Sequence, residues 1–469
     1  MVHRQGHARS ESARRTRRAL VVRLALTLGL LSIVMTGVSI ATAALDRAQV
    51  TLGPVEPLFD RPGTPDDDSG TVLLTRGIAG PIAFLQGYSY PQEVIARERM
   101  SAGEWSAVQE IPCSRPEGPP AQDCHVHGAA VGADNEVVAL LSTWAKPKGL
   151  AIAVSVRRAG ETTWSTPRFL SSGYQLSSFW DPMIRSSPQG DITVTFGVIQ
   201  RGVPALVAVY ARPGQALSNA RFHVLPGVES AAVSGMSIDG TAVVIYTDHA
   251  GLASPVFASR FLPDRGFTRP TRLGSGWSSM WSVAMGPGGR ATATWLETTE
   301  SSTGGSITSK SQRVRLMNAE GRWGRFHVLA TGDGTSGNAL TWVRGEVGVA
   351  WDSDSPGAIR VATKPVGRPW HRSTITSDTN GGALRSLDIN PAGDLVLTWE
   401  NWRAAKAYSL GLALRRAGGS WSSPRLVYTD LQNSAPGSVV ARPLGALVAY
   451  GDDVTQQLVA RRAYATASR

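Results

Sequence analysis

Along this chain a glycine is followed six residues later by an aromatic, and the pairing recurs at a nearly fixed interval. Gly190 leads to Phe196, Gly240 to Tyr246, Gly289 to Trp295, Gly345 to Trp351 and Gly393 to Trp399, while Gly445 reaches Tyr450 after five. Successive aromatics fall 50, 49, 56, 48 and 51 residues apart. Self-similarity at that period marks one supersecondary unit repeated in tandem, which restricts the chain to a propeller, a solenoid or an array.

Residues 280–331 show the unit most clearly. SVAM and ATATW alternate around a Gly-rich turn, QRVRLM follows a polar loop, and FHVLA follows NAEGRWG, which gives four short strands. The turns SPQGD, SIDGT, GPGGR and NPAGD suit hairpins that need a permissive backbone. Between the third and fourth strands a second marker places an aromatic near a glycine, at Trp105, Trp164, Phe267, Trp323, Trp370 and Trp421. The fourth strand then opens on arginine, at Arg168, Arg221, Arg272, Arg325, Arg372 and Arg425. Residues repeated at one position in every unit are read as blade packing and turn closure.

Seven units begin near Gly70, His125, Ser177, Ala231, Met280, Asn338 and Ala383, and an eighth at Ser438 supplies only three strands. The segment from Arg47, RAQVTLG, matches the arginine-led fourth strands. It is expected to complete the eighth unit, with Val50 and Leu52 paired against the strand that contains residues 458–462. The predicted fold is therefore an all-β propeller of eight four-stranded blades, with seven as the alternative, occupying residues 44–469 as a single domain and closed by its N-terminal strand. These features resemble the secreted bacterial β-propellers grouped loosely with sialidase-like repeat proteins. The sialidase Asp-box is only echoed in residues 157–164, RRAGETTW, where the Asp is absent and the Gly displaced. The resemblance implies a fold and no activity.

The formal charge is +11, but residues 1–43 hold seven Arg against one Glu. In the remainder the arginines are dispersed over the repeats, so no nucleic-acid partner is expected. The same arginines precede LALTLGLLSIVMTGVSIATA, which ends in an A-x-A signal at Ala43, so residues 1–43 read as an export signal. Thr16-Arg17-Arg18 also fits a twin-arginine route. Uncleaved, residues 24–45 are long enough to anchor the chain in a bilayer with the body outside. The expected location is extracytoplasmic, secreted or held on the outer face of the cytoplasmic membrane. The only cysteines, Cys113 and Cys124, are then expected to form a disulfide.

Propellers offer ligands the face where second strands end. There Asp248, Glu297, Asp352, Asp354, Glu400, Asp452 and Asp453 each follow a strand-closing aromatic, and Trp180, Trp277, Trp281 and Trp402 fall in neighbouring connections. Carboxylates with aromatic platforms suit a sugar-binding face, or a glycosidase if two of them converge. The candidate ligand residues are Asp248, Glu297, Asp352, Glu400, Trp402 and Asp452, with Arg403 and Lys406 near Glu400 offsetting charge. His249 beside Asp248 is a candidate proton carrier. No metal is expected, because Asp66-Asp67-Asp68 and Asp352-Ser353-Asp354 lack EF-hand spacing and His125 and His127 behind Cys124 make no tetrahedral set. No cofactor is expected either, since neither a Walker loop nor a dinucleotide fingerprint occurs. The expected role is non-catalytic binding of a protein or a carbohydrate. The alternatives are a glycoside hydrolase or lyase, and a structural subunit of a cell-envelope complex.

Overall fold

The computed structural model describes residues 49–466 except for a set of connections, the longest being 61–70, 87–93 and 114–122. The proposed export segment, Arg47 and Asp66–Asp68 lie outside the described residues. Among those described, no helix is long and apolar enough to cross a membrane.

Eight antiparallel sheets follow one another along the chain. We number them as blades: 71–111, 123–169, 175–226, 230–276, 281–331, 338–376, 384–431, and an eighth made of 438–466 with 49–60. In blade 3 the first strand is split into Gln175–Leu176 and Met183–Ser186, and in blade 4 the fourth into Gly266–Phe267 and Thr271–Gly276. Successive first strands touch at seven of the eight junctions, that between blades 3 and 4 aside, and Thr71–Arg76 meets both Asp123–Val131 and Ser438–Arg442, so the innermost strands form a ring around a central channel.

Each sheet is covered by a neighbour on both faces, which explains why the second strands read as continuous apolar runs instead of alternating ones. Ala242–Thr247 is buried at every position. The core accordingly lies between blades, in separate clusters. The marker aromatics fill it: Phe196, Trp295, Trp351 and Trp399 are at most 2% exposed. The glycine six residues earlier makes the turn. Gly190 adopts φ +88° and donates its N–H to the Ser187 carbonyl at 3.0 Å, while Ser187 donates to Asp191 at 2.9 Å. Only glycine suits that backbone, and a Cβ there would also strike Ala133 of the neighbouring turn.

The ring closes as expected, through sheet order Gln49–Asp60, Gln457–Thr466, Gly445–Asp452, Ser438–Arg442. Val50 and Leu52 pair, as expected, with the strand that contains residues 458–462. Val50 faces Ala465 and Leu52 faces Ala463, while residues 55–60 take the partners 457–461. The closing strand is thus 12 residues long and runs through Pro54 and Pro57, which sequence alone reads as turn. It lies at the outer edge of its sheet, where a missing N–H is tolerated, and the irregularities between Leu52 and Val55 and between Pro57 and Phe59 absorb the two prolines.

Blades are also tied by buried ion pairs. Arg157, closing the third strand of blade 2, donates to Glu98 at 2.5 Å and Gln109 at 2.9 Å, both in blade 1. Arg99 of blade 1 forks onto Glu56 of the closing strand, with Nη2 to Oε1 at 2.9 Å, and Arg415 of blade 7 reaches Glu346 of blade 6 at 2.9 Å. The guanidiniums of Arg99 and Arg157 lie 5.4 Å from the ring centres of Trp105 and Trp164, so the second marker aromatics cap these arginines. The arginines that open the fourth strands behave otherwise: all six are exposed on the outer strands rather than packed. Cys113 and Cys124 are joined, linking the end of blade 1 to the first strand of blade 2 with Cα atoms 6.0 Å apart.

Candidate functional site

Second strands end, and first strands begin, on one face of the ring. Asn338, which opens blade 6, pairs with Trp351, and Trp281, which opens blade 5, pairs with Trp295. The predicted acids all stand at this face, but the strand's two-residue period divides them. Asp248, Glu297 and Asp452 come two residues after the aromatic, whereas Asp352 and Glu400 come one residue after it. Because successive positions on a strand take opposite sides, Glu297 falls on the other face of its sheet from Asp352 and Glu400 on theirs.

Asp352 and Glu400 each hold the start of blade 7. Asp352, 2% exposed, accepts the Leu384 amide at 3.0 Å. Glu400 pairs with Arg385 at 2.5 Å, and its own N–H donates to the Ala383 carbonyl at 2.9 Å. Residues 383–385 are therefore held from blade 6 by Asp352 and from the second strand of blade 7 by Glu400. The Arg385 side chain remains 37% exposed, so this pair opens to solvent.

Glu297 is turned away from that corner. Its carboxylate binds Arg313 at 3.0 Å and accepts the Trp295 indole N–H at 3.1 Å, and it lies against Gly274, where any Cβ would come within 2.6 Å of it. Gly274 belongs to the fourth strand of blade 4, so Glu297 sits on the outer side of the blade 4–5 gap. Asp248 is exposed and bonded to His249 at 2.7 Å. Trp402 and Asp452 end their second strands, in register with Tyr408 and Gln457. Trp281 is not a surface platform: at 8% exposure it belongs to the core between blades 4 and 5, because the first residue of that strand faces the neighbouring blade. Asp354, Asp453, Lys406, Trp180 and Trp277 lie outside the described residues. Among those described, no group of three His, Cys, Asp or Glu side chains is arranged to hold a metal ion.

Sequence reasoning missed Arg385 and Arg313, the cations that hold Glu400 and Glu297. Both are in cross-strand reach of their acids, a relation that the hairpin register fixes and that was legible from the alternation. It also missed a cavity on the opposite face, where the channel opens among the first-to-second-strand turns.

No family model matches the chain, and no curated protein matches it. Solved structures align with it at low identity. The polysaccharide lyase Uly1 is 10% identical with a TM-score of 0.40, over 83% of this chain and 100% of that one. The Hadza microbial sialidase Hz136 is 12% identical with a TM-score of 0.36, over 65% of each chain. The propeller domain of the Trilobed protease from Pyrococcus furiosus is 7% identical with a TM-score of 0.44, over 73% of this chain and 95% of that one. It is the eight successive four-stranded sheets, and not these likenesses, that make this chain an eight-bladed β-propeller.

Proposed function

We propose that this chain is a non-catalytic binding module whose ligand, a protein or a glycan, docks on the strand-end face at the blade 7 corner. The observation that carries this reading is the Glu400–Arg385 pair at 2.5 Å, in which buried Glu400 fixes an Arg385 whose side chain is 37% exposed. A guanidinium anchored in this way presents its exposed donor edge to sugar hydroxyls or peptide carbonyls, at little further loss of side-chain freedom on binding. The same commitment argues against hydrolysis. Glu297 and Glu400 each engage an arginine, whereas a glycosidase needs one carboxyl that carries a proton and a second at a set separation from it. We place the protein outside the cytoplasm. The Cys113–Cys124 bridge supports that location, and so does the arginine-led apolar N-terminus.

A glycan array and a pull-down from cell-envelope extract, both with the full chain, test the reading. Replacing Glu400 and Trp402 by Ala is expected to abolish whatever binding the parent shows while the melting temperature holds. Undiminished binding by that double variant would move the site off this corner, and turnover of a captured glycan would replace binding by catalysis.

A further inference from the structure

In five blades the first strand ends in a turn whose first residue donates its N–H to the carbonyl four residues on: Gly132, Ser187, Ser237, Gly286 and Asn390. The residue two places earlier therefore occupies an equivalent position near the channel in each blade. Those positions hold Ala130, Arg185, Gly235, Ala284 and Asp388. Three are small, and the two that are charged belong to blades 3 and 7, which stand opposite one another in a ring of eight. Both charged residues line a cavity of about 670 Å³ at the turn-side mouth of the channel, together with Asn135, Gln189 and the apolar Leu74.

Arg185 has no neutralising partner among the described residues. Its Nη1 donates to the carbonyl of Ile184, next to it in the chain, at 2.9 Å, and its Nη2 lies 3.9 Å from the Met183 Sδ. Although the residue is only half-buried, desolvation with no opposing charge draws its pKa below the ordinary arginine value. A cation left in that state beside an open cavity is a standing cost that an anion would relieve.

We propose that this cavity binds a small organic monocarboxylate bearing hydroxyl groups, with its carboxylate on Arg185 and its hydroxyls toward Asp388. The planar guanidinium fork matches a carboxylate through two parallel hydrogen bonds. Asp388 on the far wall repels a second negative charge but accepts from hydroxyls, which disfavours phosphate and dicarboxylates. The volume lies within the range of small-molecule sites.

Three acyclic six-carbon probes separate the elements of this assignment: gluconate with one carboxylate, glucitol with none and glucarate with two. Calorimetric titration of the full chain is expected to rank gluconate first, with glucitol weaker by about 10- to 100-fold, the range for a hydrogen-bonded charged group. Arg185→Gln should reduce gluconate to the glucitol level, and Asp388→Asn should narrow the gap between gluconate and glucarate. Should Arg185→Gln fail to fold, the ranking on the parent decides the matter without any substitution. Glucitol or glucarate bound as tightly as gluconate, no gluconate binding by the parent, or an unaltered gluconate affinity in folded Arg185→Gln would each overturn the proposal.

Discussion

Trp295 and Trp323 both recur once per unit, yet the fold holds them differently. Trp295 is fully buried between blades 4 and 5, while Trp323 caps a turn and stays half-buried. Trp295→Ala is expected to cost about 3–5 kcal/mol, and Trp323→Ala distinctly less, read as shifts in the denaturant midpoint. A larger loss at Trp323 would contradict the packing described. His223 gives a pH test. Burial, chiefly, and then Arg221 hold its pKa below the ordinary 6.5. A histidine with a lowered folded pKa favours the fold in its neutral form. That contribution is complete above the unfolded value and is lost as pH falls below it toward the folded one. Between pH 7.5 and 5 the parent should therefore lose more stability than His223→Phe, measured by chemical denaturation at each pH. The glycine and aromatic of each hairpin were legible because one short stretch of chain fixes both. The pairings of Arg99, Arg157 and Arg415 were not. Their acids stand 43, 59 and 69 residues away in other blades, and nothing local distinguishes these arginines from surface ones.

The blade was legible as an element; its junctions were not. Arg157–Glu98 is buried on both sides, at 5% and 10% side-chain exposure. Removing one partner should cost about 3–5 kcal/mol, and replacing both by leucine should recover much of it, because the penalty lies mainly in the charge left alone. A double-mutant cycle on thermal stability measures this directly. The closing strand and its partner were foreseen from Arg47-AQVTLG, but its length was not, since Pro54 and Pro57 carry a turn signature that only an edge position overrides. Deleting residues 44–55 should lower the melting temperature markedly and promote self-association through the bared edge of Gln457–Thr466. An unchanged melting temperature in a monomeric product would refute that role. At the candidate site the acids were legible one by one. Their convergence was not, because a single residue of phase, Trp351 to Asp352 against Trp295 to Glu297, sends them to opposite faces of their sheets.

At the scale of the whole molecule, the disulfide and the closing strand are both staples, but of different reach. Cys113 and Cys124 are 11 residues apart and join adjacent blades. Replacing both by Ser should cost roughly 3 kcal/mol or less, and non-reducing peptide mapping of the purified protein should recover the two cysteines linked. The closing strand instead joins Gln49 to Thr466. Blades 1 to 7 are each contiguous in sequence, so each can take shape soon after it leaves the ribosome. The eighth cannot, because its outer strand is made before every other blade and its partner after all of them. The earliest-made strand must wait, unpaired, through synthesis of the whole ring, and the last step of folding is a rendezvous of the two ends. Whatever keeps residues 49–60 from pairing elsewhere during that interval, in the cell or during passage across a membrane, governs the yield of native protein more than the stability of any single blade.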